Sequence, residues 1–327
     1  MFTDQDENFI QVELSTTTFL GRPYIGERFV NTLCRYDQPY LPERWDTEER
    51  TRLRQQFDCS SPSGFIEEWT RPEEWKTLFF GRTRPFPIQM SVDIKRSSYA
   101  KFNGFYAFIH EKQFRNNRSE RELLSFTVEM SEMIHADYGY IAHAKQARRQ
   151  SPILTPAERL PGIYWANFFG RPYIEFFGRD KLLATPGYEV REINDDLILL
   201  LTAESLSAPE MIESDEVVNE VRAYLNQNAF AGPNFPDETC EVPEFHFGDV
   251  RWSAEPPVEE SPNEKVARLR TDLQAKGYKL IEEKNGHLIF RGADNSVVLV
   301  DNDKAEISVD MTGEFLLRSG SKMSKES

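Results

Sequence analysis

Gly-Arg-Pro-Tyr-Ile occurs twice in this chain, at Gly21–Ile25 and again at Gly170–Ile174, each time behind two large apolar residues, Phe19-Leu20 and Phe168-Phe169. Self-similarity at a fixed spacing is the mark of a repeated folding unit, because each copy must build the same local structure from the same residues. Duplication within the first 250 residues is therefore one reading, and a chance match of five residues is the other. Glycine followed by arginine and proline also punctuates: the chain turns, and proline then opens a helix, where its missing N–H costs nothing.

The elements around each copy read in the same order. In the first, Phe9 to Leu14 alternates as a strand, and Ile25, Phe29 and Leu33 recur at helical spacing after Pro23. A polar, proline-bearing excursion from Gln38 to about Arg84 is expected to be anchored by Trp45, Trp69 and Trp75. Ile88, Met90, Val92 and Ile94 then alternate strictly, and Phe105 to His110 forms a partner strand after Asn103-Gly104. Ser119 and Glu122 have capping-box spacing ahead of Leu123, Phe126, Met130 and Ile134, and Tyr138 to His143 closes the unit.

In the second, Ile163 to Phe169 is the opening strand, and a helix carries Tyr173, Phe176, Phe177 and Leu183 before Thr185-Pro186-Gly187. Tyr188 to Ile193 and Leu197 to Leu201 flank Asn194-Asp195-Asp196 as a hairpin. Ser214 or Asp215 caps a helix with Val217, Val218, Val221 and Leu225 on one face, and a last strand is sought within Pro243 to Val250. The expected fold class is α+β: two tandem ferredoxin-like βαββαβ units, as a pseudo-repeat, plus a small C-terminal α+β module. The expected divisions are 1–150, 151–253, a Pro- and Glu-rich linker at 254–262, the module at 263–312 and a polar tail at 313–327. The module is expected to hold a helix capped by Asn263 and four short strands, Tyr278 to Ile281, Leu288 to Phe290, Val297 to Val300 and Ala305 to Val309. One continuous sheet across both units is the better expectation, since it leaves fewer exposed edges.

The formal charge of −15 is unevenly placed. From Glu204 to Glu264 fifteen acidic residues face two basic ones, Arg222 and Arg251. Such a block disfavours nucleic acid, whose phosphates need Lys and Arg, and suits a basic partner. A solvated acidic face that keeps the chain soluble is the plainer alternative. Cys34, Cys59 and Cys240 are far apart and in no metal or redox spacing, and read as reduced thiols of a cytoplasmic protein. No export signal or membrane span is expected.

A nucleophile needs a base within reach, and a metal needs three or four suitable ligands; neither pattern is visible, so no catalytic residue, metal or other cofactor is expected. Asp237, Glu238, Cys240, Glu241, Glu244 and His246 come nearest to a metal set, but three prolines beside them and mixed ligand chemistry make an extended acidic loop the stronger reading. His110, His135, His143, His246 and His287 are scattered. Asp195 and Asp196 are turn residues. Arg22 and Arg171 sit at helix starts, where they either hold an anion or cover the aromatic core with their stems. Lys145, Arg148 and Arg149 form a basic run too short for nucleic acid.

Residues 160–179, with Trp165, Asn167, Gly170, Arg171 and Pro172, followed by Leu182-Leu183 and Thr185-Pro186, resemble the W-x-N-x-x-G and following helix of bacterial immunity proteins of the type VI secretion and polymorphic-toxin kind. Asp137 to Ala142 sits where that group has its aromatic strand. The resemblance spans about residues 9–230; Gly21, Arg22 and Pro23 lie within it, and the C-terminal module departs from it. It implies no enzyme but a protein that binds and neutralises a cognate toxin, and it carries no contact residues across, because such surfaces differ from toxin to toxin. Charge density alone selects Glu210, Glu213, Asp215, Glu216 and Glu220, then Asp237, Glu238, Glu241 and Glu244, as the surface for a basic toxin such as a nuclease, whose substrate phosphates the carboxylates would mimic. A non-catalytic adaptor or subunit of a defence system is the alternative, and an enzyme with a site assembled from distant residues is the third. Oligomeric state is not readable.

Overall fold

The computed structural model describes residues 8–206, 216–230, 241–245 and much of 266–310, with short interruptions at 37–39, 50–51, 72, 74, 85–86, 96–101, 115–116 and 151–155 and others between 268 and 305. The chain divides into two compact units, Met1–Val250 and Arg251–Ser327.

In the first unit β1 (Phe9–Thr16) leads to α1 (Pro23–Arg35), β2 (Arg44–Asp46), β3 (Gln55–Gln56), α2 (Ser63–Thr70) and β4 (Trp75–Arg82). Then come β5 (Ile88–Lys95), β6 (Asn103–His110), α3 (Asn117–Ile134), β7 (Tyr138–His143) and α4 (Ala144–Gln150). The chain continues through β8 (Ala166–Gly170), α5 (Arg171–Phe177), α6 (Arg179–Leu183), β9 (Glu189–Asn194), β10 (Leu197–Leu201) and α7 (Glu216–Leu225). The ten strands form one sheet in the order β3-β2-β4-β5-β6-β1-β7-β8-β10-β9, with antiparallel neighbours throughout. This is a mixed α+β architecture with one large antiparallel sheet.

The alternation of β5 sends Ile88, Met90, Val92 and Ile94 to one face, where they are all buried. Helices α1 to α3 cover that face. Phe29 of α1 is the hub, with ring centroids 4.8 Å from Trp69, 5.4 Å from Phe80 and 6.1 Å from Phe105. Trp69 is fully buried and its indole N–H donates to the Leu20 carbonyl at 2.7 Å. Past β7 the covering helix lies on the opposite face: register puts Tyr138 and Phe169 on the side of Ser15 and Glu13, and Tyr173 of α5 packs against both rings.

Several expectations need correction. The excursion between α1 and β5 is not irregular to its end, because Trp75–Arg82 is a full strand, and Trp75, 62% exposed, is no anchor. Helix α3 begins at Asn117, so Ser119 lies inside the first turn instead of capping it. The helix after Pro172 breaks at Gly178 (φ 88°), and the change of phase buries Leu182 and exposes Leu183. The second half supplies three strands among the described residues, not four; 241–245 is not strand, 246–250 lies outside the described residues, and β7 occupies the place beside β8. The caps sought at Ser214, Asp215 and Asn263 also lie outside them. Cys34 and Cys59 are not free thiols. They form a disulfide with Cα atoms 5.9 Å apart, tying the last turn of α1 to the loop before α2; Cys240 lies outside the described residues.

Both copies of the repeated pentapeptide carry the chain from a first strand into its helix, with proline in the first turn: Pro23–Ile25 open α1, and Gly170 ends β8 directly before α5. The second copy closes the junction of the two halves. Gly170 N–H donates to the Asp137 carbonyl at 2.8 Å, and an added Cβ there would lie 2.2 Å from the Ala136 oxygen and 2.6 Å from Asp137 Cα. Around the same point the Thr16 hydroxyl donates to the carbonyls of Ile134 and His135, capping the end of α3, and Thr17 N–H donates to the Asp137 carboxylate at 2.5 Å.

The second unit contains an antiparallel meander of β11 (Lys279–Lys284), β12 (His287–Arg291), β13 (Val297–Asp301) and β14 (Glu306–Asp310), in that order. Leu273, Leu288, Phe290, Val298 and Val300 form its core.

Two outcomes follow for stability. Closing the loop from Cys34 to Cys59, 25 residues apart, is worth about 3 kcal/mol on chain entropy. Denaturant unfolding of the oxidised protein should lose roughly that amount on reduction or in the Cys34→Ser/Cys59→Ser variant, and reductant should then leave the variant unchanged; a wild type indifferent to reductant would show that the bond does not form. Gly170→Ala should cost at least about 2 kcal/mol, since backbone stands where the methyl must go. In the same experiment Gly64→Ala, whose Cβ meets nothing within 4 Å, should gain roughly 0.5–1 kcal/mol from helix propensity.

Candidate functional site

The acidic segment is displayed by α7 and the strand-free stretch 241–245. Val218, Val221 and Leu225 bury one side of α7, so geometry at 3.6 residues per turn turns Glu216, Glu220 and Tyr224 outward, one above the other. All three are exposed. Lys181 of α6 fixes the C-terminal end of the helix by donating to the Leu225 carbonyl at 2.5 Å. Asn226 then links it to the neighbouring stretch, because its side-chain amide donates to Glu241 at 2.7 Å while Glu241 N–H donates to the Asn228 carbonyl. Glu241 and Glu244 are exposed. Arg222 does not offset this charge from outside: its guanidinium donates to Gln150 at 3.0 Å and lies 5.5 Å from the Phe230 ring centroid.

Of the residues selected for charge, the structure thus places Glu216, Glu220, Glu241 and Glu244 on the surface. Glu210, Glu213, Asp215, Asp237 and Glu238 lie outside the described residues, as do Cys240 and His246 of the metal alternative. Among the described residues no three His, Cys, Asp or Glu side chains converge as a metal would need.

The residues carrying the resemblance are structural in their contacts. Trp165 is buried and its indole donates to the Ala203 carbonyl at 3.1 Å. Asn167, fully buried, accepts from Tyr164 N–H at 2.9 Å and donates to the Tyr164 carbonyl at 2.8 Å, clamping the turn that delivers the chain into β8. Arg171 is exposed and pairs with Glu175 at 2.8 Å, one helical turn on. Arg22 is exposed too, with Tyr24 Oη at 3.4 Å. Neither arginine covers the aromatic core.

A second polar assembly was not foreseen. On the sheet face opposite α1 to α3, Tyr140 donates to the Glu13 carboxylate at 2.8 Å and accepts from Gln11 at 2.9 Å. Burial pushes the Glu13 carboxyl above the usual glutamate range, against the lowering effect of these hydrogen bonds. Burial and the nearby Glu13 charge likewise hold the Tyr140 phenol well above its ordinary value. Alternation alone assigns Glu13 to this face, but its neighbours come from β6 and β7, whose register no local pattern states.

No family model matches the chain, and no curated protein matches it. Among solved structures, a T6SS protein of Pseudomonas aeruginosa is similar with a TM-score of 0.47 and 11% identity, over 72% of this chain and 78% of that one. So loose a likeness brings neither fold assignment nor function with it.

A carboxyl whose folded pKa is raised binds more protons in the native state than in the unfolded chain between the two pKa values, so stability falls as pH rises through that window. Glu13→Gln, which keeps an acceptor for Tyr140, should therefore be at least as stable as wild type at pH 7 and should flatten the decline above about pH 4.3. Urea unfolding of both proteins across pH 4 to 8 measures this; parallel curves would mean that Glu13 is ionised without cost.

Proposed function

We propose that this chain is a non-catalytic immunity protein that binds and neutralises a basic bacterial toxin through its acidic segment. The carrying observation is electrostatic: fifteen acidic residues face two basic ones between Glu204 and Glu264, and the described carboxylates Glu216, Glu220, Glu241 and Glu244 all face solvent while Arg222 turns inward. An anionic surface of this kind accelerates encounter with a cationic protein and competes with a nucleic-acid substrate for the same basic site. Exposed Tyr224 on the same flank of α7 adds the aromatic contact that protein interfaces favour. The resemblance over residues 9–230 supports the toxin-neutralising role, and the sequence holds no nucleophile–base or metal pattern to support catalysis.

The fold is part of the same reading. We take the first 150 residues as a ferredoxin-like unit, supported by the order β5-β6-β1-β7 with α1 and α3 on one face, and the second half as its partial repeat fused through β7 and β8. The disulfide bears on the compartment we infer. No helix among the described residues is long and apolar enough to cross a membrane, but the cytoplasm expected from free thiols loses that support, and an oxidising compartment keeps Cys34 and Cys59 bonded.

The test is recovery of the partner from the native host with the tagged full-length chain, followed by co-expression. A single stoichiometric basic protein, toxic alone and harmless with this chain, is the expected result. Its association should slow, and lose much of its salt dependence, when Glu216, Glu220, Glu241 and Glu244 are replaced together by Gln. Recovery of several subunits of one assembly would replace this reading with the adaptor, and unchanged association at low salt would remove the acidic segment from the interface.

A further inference from the structure

The face of the sheet opposite α1 to α3 carries a second, sharper charge mismatch. Along β4, β5, β6 and β1 the outward positions bring Phe79, Ser91, Tyr106 and Glu13 into one row across the sheet, and Thr77, Asp93, Gly104 and Ser15 into the next. Tyr106 lies down between the rows. Its ring fills the space over Gly104, where a Cβ would meet the phenol oxygen at 2.8 Å and two ring carbons at 3.0 Å. The Tyr106 ring thus lies in the row next to Glu13 and over the cross-strand partner of Asp93, near enough for both carboxylate charges to act on its phenol.

The opposing charge does not balance. Among the described residues Lys95 is the cation at the edge of this face; its ammonium is 3.5 Å from Asp93 and 5.6 Å from the centroid of the Trp75 ring. Asp93 also accepts from the Thr77 hydroxyl at 2.7 Å. Glu13 has hydrogen-bond donors, from Tyr140 and Gln11, and among the described residues no cation stands within ion-pair distance of it. Tyr106 is its cross-strand neighbour on β6 and Phe108, on the same strand as Tyr106, faces Gln11, while Phe79 lies two strands beyond Tyr106; all three rings are half-buried. A carboxylate held in such surroundings gains far more from a paired cation than one in water does. Flat rings next to two carboxylates favour a planar, weakly hydrated cation over a compact ammonium.

The geometry points to an arginine side chain of a partner protein as the occupant of this face, its guanidinium over the Tyr106 ring and between Glu13 and Asp93. The surface has carboxylates other than those of the acidic segment, which packs Phe245 on Phe102 and Tyr173, and it rests on the preceding reading only in that a basic protein is the partner. Glu13 and Asp93 supply charge-assisted acceptors, Tyr106 and Phe79 the flat apolar contact, and Lys95 repels a second cation, which limits the face to one.

The test needs no toxin. Protein with isotope-labelled tyrosine rings is titrated with N-acetyl-arginine amide, and with the lysine and citrulline counterparts, at matched ionic strength. The ring signals of Tyr106 and Tyr140 report this face and not the acidic segment. The expected result is saturable displacement of both signals by the arginine probe, weaker displacement by lysine and none that saturates with citrulline. Glu13→Gln and Asp93→Asn should each raise the half-saturating concentration about tenfold, the effect of one charged hydrogen bond. Equal shifts with citrulline, shifts that never saturate, or saturation unchanged in both variants would overturn the proposal, and would leave toxin neutralisation through α7 standing or falling on its own experiment.

Discussion

The antiparallel pairing of β7 with β8 makes the first 250 residues one body. Tyr138 to Ile141 face Ala166 to Phe169, and the junction tolerates no spare volume because Gly170 sits on the backbone of Ala136 and Asp137. Around it three chain ends are stitched together. Thr16 closes β1 and caps α3, Asp137 opens β7 and holds Thr17, and Gly170 closes β8 and starts α5. Moving any one of these would shift the register of strands on both sides, and a one-residue slip would turn every buried side chain of the sheet outward.

That seam also explains why the helices change sides. In the first half the apolar positions of β4, β5, β6 and β1 face α1 to α3, so the intervening positions can be polar. At β7 both faces are covered, and its six residues are all buried. Beyond it, Phe169 and Tyr138 demand a cover on the second face, which Tyr173 provides. The aromatic stack of Tyr140 on Tyr164, with centroids 4.0 Å apart, marks where that second cover ends and the open face begins. Glu13 stands next to this border, and its perturbed carboxyl is a consequence of position as much as of residue type.

Much of this was legible where one side of an element is apolar and the other polar. Ile88 to Ile94, Leu123 to Ile134 and the hairpin around Asp195 and Asp196 all declare their period directly. β4 escaped because a lysine holds one of its inward positions: Lys76 is buried with its ammonium against the Glu68 and Arg71 carbonyls, and a charge there breaks the visible alternation. Leu182 and Leu183 exchanged roles because the helix breaks at Gly178, which a periodic reading carries straight through. The Cys34–Cys59 bond depends on the segment between α1 and β4 folding back on α1, a long-range fact absent from cysteine spacing. The Glu13, Tyr106 and Asp93 grouping is less visible still, since it joins residues from strands distant in sequence.

The two charged surfaces are chemically different devices, and this bears on what a partner must look like. The carboxylates of α7 and the 241–245 stretch are exposed, so salt screens them and each adds little alone; their effect is on encounter and orientation. Glu13 and Asp93 are half-buried on a floor of rings, where a paired cation is held with less screening and a wrong partner leaves the carboxylate uncompensated. A partner engaging only the first surface would bind fast and release fast. One that also places a guanidinium on the second would be held in a single orientation, because the planar group has to fit between two acceptors fixed by strand register. On the proposed reading, selection among similar basic proteins would therefore fall to the sheet face, and the acidic segment would set how quickly any of them arrives.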